Sequence, residues 1–346
     1  MTPGNDSPRA DGPAPRRANI FDVARLAGVS HQTVSRVLND LPNVRPATRA
    51  RVESAIAQLR YSPSPAARAL VTRRTRRIGL ISPGKPDYGP TSIATHFNFA
   101  ALAARYSVDT VSFLDDDPAS IRSVVESLLR QRVDAIVLIV VDIAVLEIVR
   151  GLDLGIPVIA VAATGRRSPS IVSIDQYRGA RAAVRHLIEL GHSTVLHLAG
   201  PSESPDAIER ERGWRDELSE HRLEIVEPMH GDWSARSGFE LGGTIGVRPK
   251  TSIFVANDHM AIGMLSALRE QGLGVPEDVS VVGFDDVPEA AYMFPPLTTV
   301  RQDFAALGGL IMQKVLIGLE EPDSATETMP LPATLQVRQS TRPVRE

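Results

Sequence analysis

From Asn19 onward, apolar residues recur at helical spacing. Ile20, Val23, Ala24 and Ala27 share one face, and Asn19 and Asp22 stand at the spacing of an N-cap and its reciprocal acid. Gly28 predicts the end of that helix. Ser30 can cap a second helix, residues 31–38, whose Val34, Val37 and Leu38 form the only apolar stripe on an otherwise polar segment. A third helix, roughly Pro46 to Leu59, has proline in its first turn and Val52, Ala55, Ile56 and Leu59 for burial. These three predict one small all-α domain over residues 19–62. Residues 1–18 carry no apolar period and are rich in Pro, Gly, Asp, Ser and Arg, which predicts a disordered leader.

Tyr61-Ser-Pro-Ser-Pro closes the small domain, and AARALVTRRTRR follows as a linker with helical potential, residues 63–76. Beyond it the texture changes. Short β-branched runs (IGLIS, VDTVSFL, DAIVLIV, PVIAVA, TVLHLA, SIFVA, VSVVGF) alternate with amphipathic helical patterns, which predicts parallel sheets covered by helices on both faces. Residues 77–342 are too many for a single sheet of ordinary size, so two doubly wound α/β lobes with a cleft between them are expected.

Charge sharpens this division. Residues 1–77 hold 14 Arg and 5 acids, a net +9, while the remainder holds 24 basic and 36 acidic side chains, a net −12, giving the chain total of −3. A basic head on an acidic body points to a polyanion partner for the head. Zero cysteines exclude disulfides and thiolate chemistry, and the eight histidines show no helical His-x-x-x-His pair, so neither a metal nor a cofactor is expected. No apolar run approaches the roughly 18 residues of a membrane helix, and the N-terminus lacks a signal peptide's apolar block, so a cytoplasmic chain is expected. Asp285 and Asp286 are adjacent, unlike glycosidase carboxylates, which flank a bond at about 5 to 9 Å. No phosphate loop or Gly-x-Ser-x-Gly elbow occurs either. The expectation is a protein that is not an enzyme and has no catalytic residues.

A helix, a turn at Gly28 and a short polar helix make a helix-turn-helix, whose second helix enters the DNA major groove. Gln32 can pair bidentately with adenine and Arg36 with guanine, while Ser30, His31, Thr33 and Ser35 supply single hydrogen bonds to bases or phosphates. Without the charge asymmetry, the same face would also suit an exposed helix of a small bundle.

The stretch IFDVARLAGVSHQTVSRVLND, with NVRPATRARVESAIAQLRYSPSPAARAL behind it, resembles the headpiece of the lactose-repressor (LacI/GalR) family. The likeness continues through HLAGP, GDWSARSGFE, VANDHMAIG, DVSVVGFDD and PPLTTVRQDF, from about Asn19 to Arg342. It implies a helix-turn-helix headpiece joined to a periplasmic-binding-protein-like core of two lobes. It also implies His31, Gln32 and Arg36 as base readers, with Ser30, Thr33, Ser35 and Asn39 on phosphate or at helix ends, and Asn43 and Thr48 on the backbone of double-stranded operator DNA. In the family the linker forms a hinge helix on DNA and a leucine wedges into the minor groove; Leu70 falls at that position. Pro65 is compatible only with the first turn of such a helix.

In the cleft, the resemblance implies a small sugar effector held by Arg210, Trp233, Asn257 and Asp285, with Gly89, Pro90 and Ile93 as an apolar patch and Gln302 and Phe304 beside them. Taken alone, a tryptophan in a Gly-Asp-Trp turn is more often packing than ligand, and an Asp pair after a strand is often only a cap. One departure stands out: Ala162 occupies a position where a close family member carries an effector-contacting aspartate. The family relation further implies a homodimer on a palindromic operator, released by a small sugar, with galactosides among the candidates. A corepressor mode and a sugar-binding transport protein are the alternatives.

Overall fold

A computed structural model describes residues 18–38, 42–61, 74–113, 118–150, 154–163, 168–246, 251–321, 324 and 326–344. The chain divides into two compact units, Met1–Thr75 and Arg76–Glu346.

In the first unit, α1 (Ile20–Ala27) begins at Asn19, whose side chain accepts from the Phe21 and Asp22 amides while the Asp22 carboxylate accepts from the Asn19 amide. This reciprocal pair satisfies amides that the first turn would leave without partners. The helix ends at Gly28, left-handed at φ 64°, a conformation glycine adopts without a Cβ penalty. The Ser30 hydroxyl then accepts from the Thr33 amide at 3.2 Å and starts α2 (His31–Leu38). A third helix, α3 (Pro46–Gln58), has proline in its first turn. Val23, Ala24, Ala27, Val34, Val37, Val52 and Ala55 form the buried centre of the three.

The second unit is a pair of α/β lobes. In chain order it runs β1 (Arg77–Pro83), α4 (Tyr88–Ala103), β2 (Ser107–Phe113), α5 (Pro118–Arg130), β3 (Ala135–Ile139), α6 (Ile143–Arg150), β4 (Val158–Val161) and β5 (Ile171–Val172). It continues with α7 (Gln176–Glu189), β6 (Thr194–Ala199), α8 (Pro205–Glu220), β7 (Met229–His230), α9 (Ala235–Gly242), β8 (Thr251–Val255) and α10 (Asp258–Glu270). Then come β9 (Ser280–Asp285), a 3₁₀ turn (Pro288–Tyr292), β10 (Thr298–Arg301), α11 (Phe304–Glu320) and β11 (Thr334–Gln336).

The first lobe's sheet has strand order β2-β1-β3-β4-β5, all parallel, and the second has β11-β10-β9-β8-β6-β7, parallel except for the β10–β11 pair. Central strands are buried on both faces: every residue of β3, β8 and β9 is buried, which is why β3 reads as an unbroken apolar run and the centres of β8 and β9 as shorter ones. Sequence order does not follow lobe order. α11 leaves the second lobe and packs Phe304, Leu307, Ile311, Met312 and Val315 into the first lobe's core, against Phe97 and Ala101 of α4. The chain then returns beside residues 173–175, where Leu331 exchanges backbone hydrogen bonds with Ser173 and Asp175, before pairing as β11. Residues 173–175, 302–303 and the stretch around Leu331 therefore lie at the junction of the lobes.

Candidate functional site

On α2 the burial pattern separates two faces. Val34 and Val37 are buried, while His31, Gln32 and Arg36 are exposed and Thr33 and Ser35 half-buried. Ser30 is exposed, and its hydroxyl lies 3.0 Å from that of Thr33. The His31 ring packs against Phe21 of α1, centroids 5.2 Å apart, which limits the rotamers of the first polar side chain on the helix. Asn43 is exposed in a left-handed conformation at φ 73°, and Thr48 lies in the first turn of α3, half-buried. Asn39 and Leu70 lie outside the described residues, as do residues 1–17 of the leader, residue 62 and residues 63–73 of the linker. A helix with one apolar stripe against its neighbours and a donor-rich outer face is suited to the major groove, whose width admits a helix.

In the second unit a cavity of about 740 Å³, its open mouth included, lies between the lobes. It is lined just past the C-terminal ends of strands from both sheets. Tyr88, Gly89 and Pro90 follow β1, Val140 and Val141 follow β3, and Ala162 and Ala163 follow β4. From the other side, Ser204 and Asp206 follow β6, Asn257 follows β8, Asp285 ends β9, and Gln302 follows β10. This is where open α/β sheets leave a crevice. Gly89, Pro90, Ile93, Arg210, Trp233, Asn257, Asp285, Gln302 and Phe304 all line this one cavity.

Its polar groups form a closed circuit. Gln302 Nε2 donates to Asp285 Oδ1 at 2.7 Å, and Gln176 Nε2 donates to Gln302 Oε1 at 2.7 Å. Arg210 Nε donates to Gln176 Oε1 at 2.9 Å, and its Nη2 stands 3.5 Å from Asp285 Oδ1, closing the ring. A further Arg210 nitrogen donates to the Ala256 carbonyl. The guanidinium lies 3.9 Å from the Phe284 ring centroid and 5.4 Å from that of Trp233, so it is held by stacking as well. Arg210, Gln176, Gln302 and Asp285 are all buried, and the circuit fixes each in one orientation.

Burial pushes the Asp285 carboxyl up to about 6, with Arg210 and Gln302 pulling it back down. Behind it, Asp258 is fully buried and pushed well above the usual carboxylate range by burial and by Asp285; it accepts from the Thr299 hydroxyl at 2.6 Å and the Val287 amide at 2.9 Å. Asn257 serves twice: its Oδ1 accepts from the Met260 amide, capping α10, and its Nδ2 donates to the Trp233 carbonyl at 3.0 Å. Trp233 (φ 74°), Asp285 (φ 109°) and Asp286 (φ 53°) all have positive φ, a conformation that disfavours side chains. Strained backbone of this kind persists where surrounding contacts over-determine it, and it gathers at ligand sites. Gly200 is required beside Trp233, because a Cβ there would run into the indole.

Gln176, Ser204, Asp206, Asp87 and Tyr88 also line the cavity and escaped sequence reasoning. Gln176 opens α7 and Asp206 sits in the first turn of α8, so in sequence both read as ordinary helix starts. Among the described residues no group of three or more His, Asp or Glu side chains could hold a metal ion, and no helix is long and apolar enough to cross a membrane.

A helix-turn-helix unit and a two-lobed core with a polar cleft are the parts of a ligand-responsive DNA-binding regulator. Residues 19–64 match the family model for bacterial regulatory proteins of the lacI family, and residues 184–341 match the periplasmic binding protein-like domain. The chain is 33% identical over 326 residues to the lactose operon repressor of Escherichia coli (strain K12), covering 93% of this chain and 90% of that one. It is 32% identical to the HTH-type transcriptional repressor PurR of Actinobacillus pleuropneumoniae serotype 3 (strain JL03), covering 94% and 98%. The crystal structure of the lac repressor dimer bound to operator and the anti-inducer ONPF superposes with a TM-score of 0.81 at 30% identity, covering 94% of this chain and all of that one. The chain belongs to the LacI family of transcriptional repressors, with a DNA-binding and a ligand-binding domain.

Proposed function

We propose that the protein is a homodimeric repressor that binds a palindromic operator and is released when a small sugar enters the interlobe cleft. In this reading residues 19–62 form the DNA-binding head, 63–76 the hinge and 77–342 the effector-binding and dimerising core, behind a leader of residues 1–18. His31, Gln32 and Arg36 read bases. Ser30, Thr33, Ser35, Asn43 and Thr48 position the head on the backbone, and the family resemblance alone assigns Asn39 and Leu70 to DNA. No step of this function calls for catalysis.

The observation that carries the effector half is the convergence of Arg210, Trp233, Asn257, Asp285 and Gln302 on one cleft with aliphatic side chains opposite. A sugar presents an apolar ring face and an edge of hydroxyls, and this wall offers the complement: an indole to stack on, an anionic acceptor, and amide and guanidinium groups on either side of it. Exposed apolar side chains support the dimer. Phe99 and Leu102, one turn apart on α4, are 62% and 73% accessible, and Tyr292 and Phe294 are 89% and 98% accessible, apolar surface that a partner subunit would cover.

Fluorescence anisotropy on DNA from upstream of its own gene, with and without a panel of galactosides, glucosides and free sugars, tests the proposal. Tight, salt-sensitive binding that one sugar releases is the expected result. A sugar that tightens binding would make it a corepressor, and the absence of any DNA binding would overturn the proposal.

A further inference from the structure

We infer that Asp206 is a second ligand-gripping carboxylate and that it makes the cleft selective for polyhydroxylated rings that are neutral or carry an amine, against rings that carry a phosphate or carboxylate. The inference rests on the sugar reading of the cleft given above.

Asp206 stands one helical turn ahead of Arg210 on α8, with its Oδ2 3.9 Å from Arg210 Nη2. The two side chains differ in what they leave open. Arg210 is 4% accessible, and its nitrogens face Gln176, the Ala256 carbonyl and Asp285. Asp206 is 39% accessible and lines the cavity, and its carboxylate faces Arg210 and the backbone amide of Ala163. A carboxylate has about four acceptor positions, so capacity remains for hydroxyl or ammonium donors from a ligand.

The opposite wall explains why an acid is useful here. Ala162 and Ala163 follow the first lobe's β4 strand without a polar side chain, Ala162 at the place where the family resemblance leads one to expect an aspartate. Asp206 reaches this stretch from across the cleft, so the second lobe supplies an acid where the first has none. The charge balance gives the same preference. Among the described residues lining the cavity, Asp87, Asp206 and Asp285 are carboxylates and Arg210 alone is a cation; Lys85 acts on Asp87 without lining the cavity. An anionic ligand would be desolvated against like charge, and the one cation among the described lining residues, Arg210, is already hydrogen-bonded to the protein.

The test is calorimetric titration of the intact chain and of its Asp206→Asn, Asp206→Ser and Asp285→Asn variants. The probes are the methyl β-D-glycosides of galactose and glucose, galactosamine and glucosamine, and the 6-phosphates of galactose and glucose, with a melting curve to establish that each variant is folded. Wild type is expected to bind at least one neutral or amine probe and neither phosphate. Both Asp206 variants should lose at least about tenfold on that probe, with the larger loss on the amine. If the folded Asp206 variants bind like wild type while Asp285→Asn does not, the sugar reading survives and the role of Asp206 is overturned. A 6-phosphate that binds wild type as tightly as its neutral counterpart overturns the charge selection. Failure of every probe to bind wild type overturns the sugar reading, and this inference with it.

Discussion

Single side chains separate the two activities. Arg36 is exposed on the outer face of α2, with Val34 and Val37 turned inward, so Arg36→Ala should lower operator affinity by about 10- to 100-fold while ligand affinity measured by calorimetry stays unchanged. Asp285 gives a pH signature. In the proposed role its anion accepts ligand hydroxyls, so ligand affinity should fall as the pH drops through about 6, where burial has placed its pKa. Folding stability runs in the opposite sense. Because the folded pKa lies above the ordinary 3.8, this group's stabilising contribution is complete below 3.8 and is lost as the pH rises through about 6. Ligand titrations and ligand-free melting curves between about pH 5 and 8 should therefore show opposite trends around that group. The cleft residues named from the sequence came from the family resemblance, since a tryptophan in a turn reads by itself as packing and an Asp pair after a strand as a cap. Gln176 and Asp206 were not named, because a polar side chain in a helix's first turn looks the same whether it caps, solvates or points into a cavity.

Packing between elements sets what the helices can tolerate. α9 and α10 cross so closely that a Cβ on Gly263 would run into the Ala235 carbonyl oxygen and one on Gly238 into the Met260 carbonyl, backbone against backbone. Gly263→Ala should cost about 2 to 3 kcal/mol in chemical denaturation and loosen Asn257, which caps α10. A variant as stable as wild type would show that the two helices can slide apart. The strands that carried an apolar run were legible: TVLHLA is β6, Thr194–Ala199, and DAIVLIV contains β3, Ala135–Ile139. β5 and β7 have two residues each and β11 three, too short for a period to register. The helix-turn-helix was legible to the residue at α2, because an N-cap and an apolar stripe bound it on both sides. Nothing in the α11 sequence could show that this helix belongs to the other lobe, since its apolar stripe would bury equally well against either sheet.

At the scale of the whole molecule, ligand and DNA must communicate through the core. The cleft takes residues from both lobes, and the segments that join them run past its floor at Ser173, Ile174 and Gln302, so a ligand that draws the lobes together acts on those segments directly. In the proposed dimer such lobe movement would reach DNA by altering the spacing of two heads. Leu102→Glu should accordingly shift sedimentation toward monomer and weaken operator binding together; a charged dimer would place the interface elsewhere. The most direct test of the account is the thermodynamic coupling itself: sugar affinity measured with and without saturating operator, and operator affinity measured with and without saturating sugar. The account predicts that operator weakens sugar binding by the same factor by which sugar weakens operator binding, a coupling of about 1 to 3 kcal/mol. A sugar that fills the cleft, is lost in Asp285→Ala and leaves operator affinity unchanged would contradict it.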